Sequence, residues 1–337
     1  MPRHIPLKSC ALLAFAAVLP NCAAIPAVIH SSPMASLAVP AREVSFVSNR
    51  VAPVRRADHV VVISIDGLRP DAIEEFGAKT IQRLATEGSY SFRARTITPS
   101  ITLPSHTSMI TGVEPWIHGI TWNKNLVATE GQVTVPTIFS LARAQGLSTA
   151  AVFSKGKFEH LLLPGSVDFA TLPEGNRHWY AGRTATEVEQ YLENARPNLL
   201  FVHIGEPDYA GHTLGWMGFT YGWAVRRADG AVARVLAAAD KAFGKGEYTV
   251  ILTADHGGHE RTHGTLADSD MTIPWIAWGK GVRKGEQLPD GVHTTDTAAT
   301  VLWLLGVPEP DVYAGVPVQS AFENRAPLLR APAVSAR

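Results

Sequence analysis

Cysteine is almost absent. Cys10 and Cys22 are the only two in 337 residues, and both lie near the amino terminus. A disulfide scaffold, a cysteine-ligated zinc and a cysteine nucleophile are therefore excluded for the rest of the chain. No sign of charge is in excess either, since thirty basic residues balance thirty acidic ones. Without a basic surplus there is no footprint for wrapping a polyanion, so neither nucleic-acid packaging nor polybasic membrane docking is expected. The apolar run from Cys10 to Leu19 is too short to span a bilayer. Three phosphate- or acyl-handling signatures are also missing: Gly-x-Ser-x-Gly, the G-x-x-x-x-G-K phosphate loop and the dinucleotide G-x-G-x-x-G.

The amino terminus does carry an address. Arg3, His4 and Lys8 precede the apolar run and Cys22, Ala23 and Ala24 follow it, the three-part layout of a secretory signal peptide over residues 1–24. Export to the periplasm or the medium is the expectation. Lipid attachment at Cys22 is disfavoured by the Leu19-Pro20-Asn21 that precedes it. Residues 25–57 read as a low-complexity linker, 58–325 as the folded domain and 326–337 as a tail. Leader removal would leave a net charge of −2, no cysteine and no transmembrane helix. A hydrophobic content of 46% with only 18% charged residues gives the remainder enough apolar surface for a core.

From Asp58 onward strands and helices alternate. His59–Ile65, Asn198–Ile204, Tyr248–Ala254 and Ile273–Trp278 are short apolar runs of buried-strand length. Helices are expected near Thr80–Glu87, from Pro136 to about Ala144, over Ala224–Lys241, and from Thr295 or Asp296 to Gly306. The fold class that follows is α/β, a mostly parallel central sheet with helices on both faces. Residues from about 124 to 197 interrupt the strand pattern and are expected to form a small cap over the site, with Lys155 and Lys157 among its side chains.

Three of these strands run out into acid: Asp66, then Glu206 and Asp208, then Asp255. Open α/β sheets bind ligands beyond the carboxyl ends of their strands, where such carboxylates can converge. Asp208 and His212 stand four residues apart and Asp255 and His256 are adjacent, a donor set suited to Zn²⁺ or a similar divalent ion, with Asp66 completing or bridging the cluster. Two such ions about 4 Å apart can clamp both oxygens of an in-line phosphoryl displacement. A hydroxyl-rich segment, Ser100 to Thr111, can start a helix near them and supply a nucleophile.

Four blocks taken together resemble a known family. Ile63-Ser64-Ile65-Asp66-Gly67-Leu68-Arg69-Pro70, Thr102-Leu103-Pro104-Ser105-His106, Glu206-Pro207-Asp208-Tyr209-Ala210-Gly211-His212 and Asp255-His256-Gly257 look like those of the type I phosphodiesterases and nucleotide pyrophosphatases, within the alkaline phosphatase superfamily. The resemblance runs in order from about Asp58 to Phe322 and implies an alkaline phosphatase-like fold. It implies that Asp66, Thr102, Asp255 and His256 surround one metal, that Thr102 is the nucleophile, and that Asp208, His212 and a later histidine surround the other. His263 matches that histidine, with His259 and His293 as competitors, and Asn123 matches the family asparagine that donates to a phosphoryl oxygen. Two Zn²⁺ ions and a small phosphorylated substrate, a nucleotide among the candidates, complete the implication. His106 and His118 are left as structural. Ser105 replaces the asparagine usual before the motif histidine, which makes it a rival nucleophile and leaves diester, pyrophosphate, monoester and phosphonate substrates open.

One motif points to a different class. His259-Glu260-Arg261-Thr262-His263 fits H-E-x-x-H, a zinc peptidase signature when it lies on a helix. Gly257, Gly258 and Gly264 around it oppose that helix. An exported metal-binding protein without catalysis is the remaining alternative; it has no use for Thr102 or Asn123.

Overall fold

The structure, a computed structural model, describes residues 54–323. The readings of the leader, of Cys10 and Cys22, of the linker up to residue 53 and of the tail at 326–337 lie outside the described residues. Residues 54–57 are packed onto the body: the Arg56 guanidinium lies 4.1 Å over the Trp303 ring, and the Arg56 and Ala57 amides both donate to the Leu304 carbonyl.

The chain opens with β1 (Val60–Ile65), followed by α1 (Pro70–Glu75), α2 (Lys79–Glu87) and β2 (Ser89–Arg95). A run of helices comes next: α3 (Thr102–Thr111), α4 (Pro115–His118), α5 (Val127–Glu130) and α6 (Ile138–Ala144). Then β3 (Thr149–Val152), β4 (Phe169–Thr171), α7 (Ala181–Asn194), β5 (Leu199–Ile204), α8 (Glu206–Leu214), α9 (Phe219–Phe243) and β6 (Thr249–Thr253) build the other half. The chain closes through α10 (Asp268–Met271), β7 (Thr272–Gly279), β8 (Glu286–Gln287) and α11 (Asp296–Leu305).

All eight strands form one sheet in the order β4-β3-β5-β1-β6-β7-β2-β8. The first five run parallel, and β7 opposes both its neighbours. Every residue of β1, β5 and β6 is buried, which is why those segments read as continuous apolar runs. The helices fall into two packed groups, α1, α2, α7, α8 and α9 in one and α3, α4, α6 and α11 in the other, covering the sheet. The mostly parallel α/β reading therefore holds. Among the described residues no helix is long and apolar enough to cross a membrane.

The expected cap needs correction. Residues 124–197 contribute α6, β3, β4 and α7, and β3 pairs in parallel with both β4 and β5 inside the main sheet. Thr149-Ala150-Ala151-Val152 and Phe169-Ala170-Thr171 are too short and too rich in alanine to show a strand pattern. The parts of this segment that line the site's cavity, Lys124, Lys155 to Lys157 and Asn176 to His178, lie outside those strands and α-helices.

Candidate active site

Three adjacent strands deliver the acids. Asp66 directly follows β1, Asp208 lies in the first turn of α8 beyond β5, and Asp255 with His256 follows β6; β5 and β6 flank β1. Backbone bonds fix their spacing: Asp208 N donates to the Asp66 carbonyl at 3.1 Å, and Gly67 N donates to Asp255 Oδ1 at 3.1 Å. Gly67 has φ 70°, and a Cβ there would stand 3.0 Å from Asp208 Cα. Only glycine meets both demands.

Side chains from distant segments converge in two groups that share Asp208: Asp208, His212 and His263, and Asp66, Asp208 and His256. Asp208 Oδ1 lies 3.3 Å from His212 Nε2, 3.5 Å from His263 Nε2 and 4.0 Å from His256 Nε2. His256 Nε2 lies 3.4 Å from Asp66 Oδ1, 3.2 Å from Asp255 Oδ2 and 3.4 Å from Thr102 Oγ1. Most of these gaps match the ligand-to-ligand edge of a zinc tetrahedron, about 3.3 Å for bonds near 2.0 Å.

The tautomers agree with that reading. Nδ1 of His212, His256 and His263 faces the carbonyl of Arg261, Gly257 and Ser100 at 3.1, 2.8 and 2.8 Å. A carbonyl only accepts, so each Nδ1 carries the proton and each Nε2 turns a lone pair inward. Asp66 Oδ1, Asp208 Oδ1 and Asp255 Oδ2 are buried without a hydrogen-bond donor. Orphaned carboxylate oxygens facing imidazole lone pairs call for a cation, and the donor set fits a divalent metal. Burial, then His263, pushes His256 down to about 3, which keeps it neutral as a ligand must be. Burial, then the Asp66 charge, pushes Asp255 well above the usual carboxylate range. Burial would also raise Asp66, but the Lys155 ammonium, His203 and His256 together outweigh it, and the net shift is well downward.

Thr102 is the first residue of α3 and is buried beside His256. Asn123 Oδ1 accepts from Leu103 N at 2.9 Å and from Lys157 Nζ at 2.7 Å. Both partners are donors, so the oxygen's place is settled and the Nδ2 group keeps its protons for another acceptor. Beside these residues lies a cavity of about 520 Å³ whose lining includes Asn123, Lys124, Lys157, Arg177, Tyr209 and His212. Its cationic wall suits an anionic ligand.

Residues 60–268 match the sequence profile described as type I phosphodiesterase / nucleotide pyrophosphatase. The chain belongs to this family. Among curated type I relatives, ectonucleotide pyrophosphatase/phosphodiesterase family member 3 of Rattus norvegicus is 27% identical over 217 residues, covering 59% of this chain and 24% of its own. Venom phosphodiesterase of Macrovipera lebetinus is 26% identical over 217 residues, covering 59% and 25%. The chain thus spans about a quarter of the length of these relatives. In fold it is similar to murine ectonucleotide pyrophosphatase/phosphodiesterase 5, in an inactive form in complex with AMP, with a TM-score of 0.68 at 14% identity, covering 79% of this chain and all of that one.

Against this type I phosphodiesterase frame the other sequence candidates find their places. His259 Nδ1 is bonded to Asp270 at 2.7 Å and His293 bridges to Arg95, so both stand outside the two groups, whereas His263 belongs to the one with Asp208 and His212. Ser105 Oγ donates to the Asp255 carbonyl at 2.8 Å, which makes it a brace. His106 links Ser64 Oγ to the Thr102 carbonyl, and His118 links Ser108 Oγ to Ile120 N. Glu206 holds Arg227 and the Ala181 amide at the start of α7. The H-E-x-x-H segment is no helix: His259 and Thr262 form a bridge, and Glu260, at φ 44°, is exposed. The peptidase alternative fails on that geometry.

Three residues escaped the sequence reading. His203 Nε2 meets Asp66 Oδ2 at 3.0 Å, and its signal was a histidine inside an otherwise apolar strand. Trp216 is wedged where a Cβ on Gly211 or Gly258 would meet its ring at 2.5 or 2.2 Å, and its Nε1 donates to the Gly67 carbonyl. Lys155, read only as a cap side chain, reaches both Asp66 and Asp208.

Proposed function

We propose that the protein is an exported, metal-dependent phosphoester hydrolase, a phosphodiesterase or nucleotide pyrophosphatase, that works through a phospho-threonine at Thr102. The observation that carries this reading is the pairing of orphaned, buried Asp66, Asp208 and Asp255 oxygens with three inward imidazole lone pairs beside a helix-terminal hydroxyl. Asp66, Asp255, His256 and Thr102 would hold one divalent ion and Asp208, His212 and His263 the other, with Asp208 close to both and Zn²⁺ favoured by the donors. Bound there, such ions would supply positive charge that favours the Thr102 alkoxide and neutralises the phosphoryl group.

Thr102 Oγ1 gives up its proton to solvent and attacks phosphorus in line with the leaving oxygen; a Thr–O–P bond forms as the P–O bond to the leaving group breaks, and the departing oxygen takes a proton from solvent. The α3 amino terminus places its dipole under the phosphoryl oxygens. Asn123 Nδ2 donates to one of them as charge builds. Water then attacks phosphorus and the Thr102 oxygen departs, recovering a proton. The cationic wall of Lys124, Lys157 and Arg177 would receive the rest of a phosphorylated substrate, a nucleotide among them.

The test pairs Thr102→Ala with Glu260→Ala on chromogenic phosphodiester, monoester and phosphonate substrates and on a peptide mixture, with metal content measured alongside. Thr102→Ala should reduce phosphodiester turnover to background and keep most of its metal, and Glu260→Ala should remain active. Full phosphodiester turnover in Thr102→Ala would overturn the nucleophile; metal binding by the wild type with no turnover of any substrate would make it a non-catalytic metal binder.

A further inference from the structure

The reading of a metal site leaves one charged group without a part. Lys155 follows β3 and is only 8% exposed. Its Nζ lies 2.7 Å from Asp66 Oδ2 and 2.6 Å from Asp208 Oδ2. These are the outer oxygens. The inner ones, both Oδ1, face the histidine lone pairs and have no donor. A lysine standing in for a metal would take the inner oxygens; this one divides each carboxylate into a held half and a free half.

The surroundings are built to keep it there. Asp66 Oδ2 also meets His203 Nε2 at 3.0 Å, and His203 Nδ1 meets Ser154 Oγ at 2.8 Å. Ser154 and Lys155 are neighbours in the chain, so one turn after β3 supplies both ends of this outer network. Gly205, between β5 and α8, leaves room for it: a Cβ there would lie 2.7 Å from Ser154 Oγ, 3.2 Å from Lys155 Cε and 3.3 Å from His203 Cε1.

We propose, resting on the two-metal reading, that Lys155 is a positioning residue: its buried ammonium ties Asp66 to Asp208 through their Oδ2 atoms and so aims both Oδ1 atoms at the metals. Asp66 and Asp208 come from different strand ends and, in that reading, would each hold a different ion, so one cation sets the orientation of both. Groups that orient metal ligands from outside are typically worth 10–100-fold in affinity.

The experiment measures Zn²⁺ affinity by chelator competition, and the visible absorption of the Co²⁺-loaded protein, for wild type, Lys155→Met and Gly205→Ala. Lys155→Met should bind Zn²⁺ about 10–100-fold more weakly and change the Co²⁺ bands. Gly205→Ala retains the charge but crowds the side chain, and should shift both readouts in the same direction by less. If Lys155→Met does not fold, Gly205→Ala carries the test alone. Unchanged affinity and bands in the folded variants, even with a lower melting temperature, would overturn the proposal, as would tighter binding, which would make Lys155 a rival of the metals. Absence of Zn²⁺ binding by the wild type would instead overturn the two-metal reading itself.

Discussion

Lys157 shows what one side chain adds to this site. It holds the oxygen of Asn123, and burial followed by the Lys155 charge pushes it down to about 8. The ammonium is therefore present below about 8 and lost above it, so the cavity wall sheds a positive charge as pH climbs through that value. KM for a phosphodiester should rise across that window, while Lys157→Arg, which keeps its charge, should hold KM flat; coincident KM–pH profiles would refute the assignment. Individual site residues were legible in proportion to how local their evidence is. Asp66, Asp208 with His212, and Asp255 with His256 sit in short blocks at strand ends, and Thr102 opens its own block. Lys155, Lys157 and His203 were not legible because their partners lie far along the chain and the bonds between them leave no spacing to read.

Elements were legible where burial leaves a period or a run. β1, β5, β6, β7, α9 and α11 announce themselves in apolar stretches, whereas β3 and β4 are too short, and β2, Ser89-Tyr90-Ser91-Phe92-Arg93-Ala94-Arg95, is half polar. α3, expected from its hydroxyl-rich sequence as a segment that can start a helix, shows no amphipathic period for the opposite reason. All ten of its residues are buried, so it has no polar face, and Thr107 and Thr111 spend their hydroxyls on the Leu103 and Thr107 carbonyls one turn back. Trp216 couples α8 to the loops that follow β1 and β6, and Gly211 is the clearance that permits it. Gly211→Ala should displace α8, which carries both Asp208 and His212, destabilise the fold by about 1–3 kcal/mol, and lower the affinity of the Asp208–His212–His263 group. Denaturant midpoints and metal titration check this; a variant with wild-type values for both would show that α8 does not depend on the tryptophan.

At the scale of the whole molecule, strand ends carrying acids were enough to locate the site, because a parallel sheet aligns its carboxyl ends along one edge. What composition did not reveal is that this edge keeps Asp66, Asp208 and Asp255 together in the interior, with Lys155 as the buried ammonium that bonds the first two. Charge of this density should make stability depend on cations. Saturating Zn²⁺ should stabilise the native state by about 4 kcal/mol at a thousandfold excess over Kd, and a strong chelator should lower the melting temperature in proportion. A melting temperature indifferent to both would argue that the orphaned oxygens are satisfied in another way. The sheet order has one more effect, on the timing of assembly. β1 is made early, yet the strands that close its two edges begin only at Leu199 and Thr249. During synthesis the most apolar strand of the sheet waits, unpaired on both sides, for most of the chain to emerge, and an open edge of that kind is an invitation to other chains. The strand at the centre of the finished sheet is thus the part of the newborn chain most in need of protection.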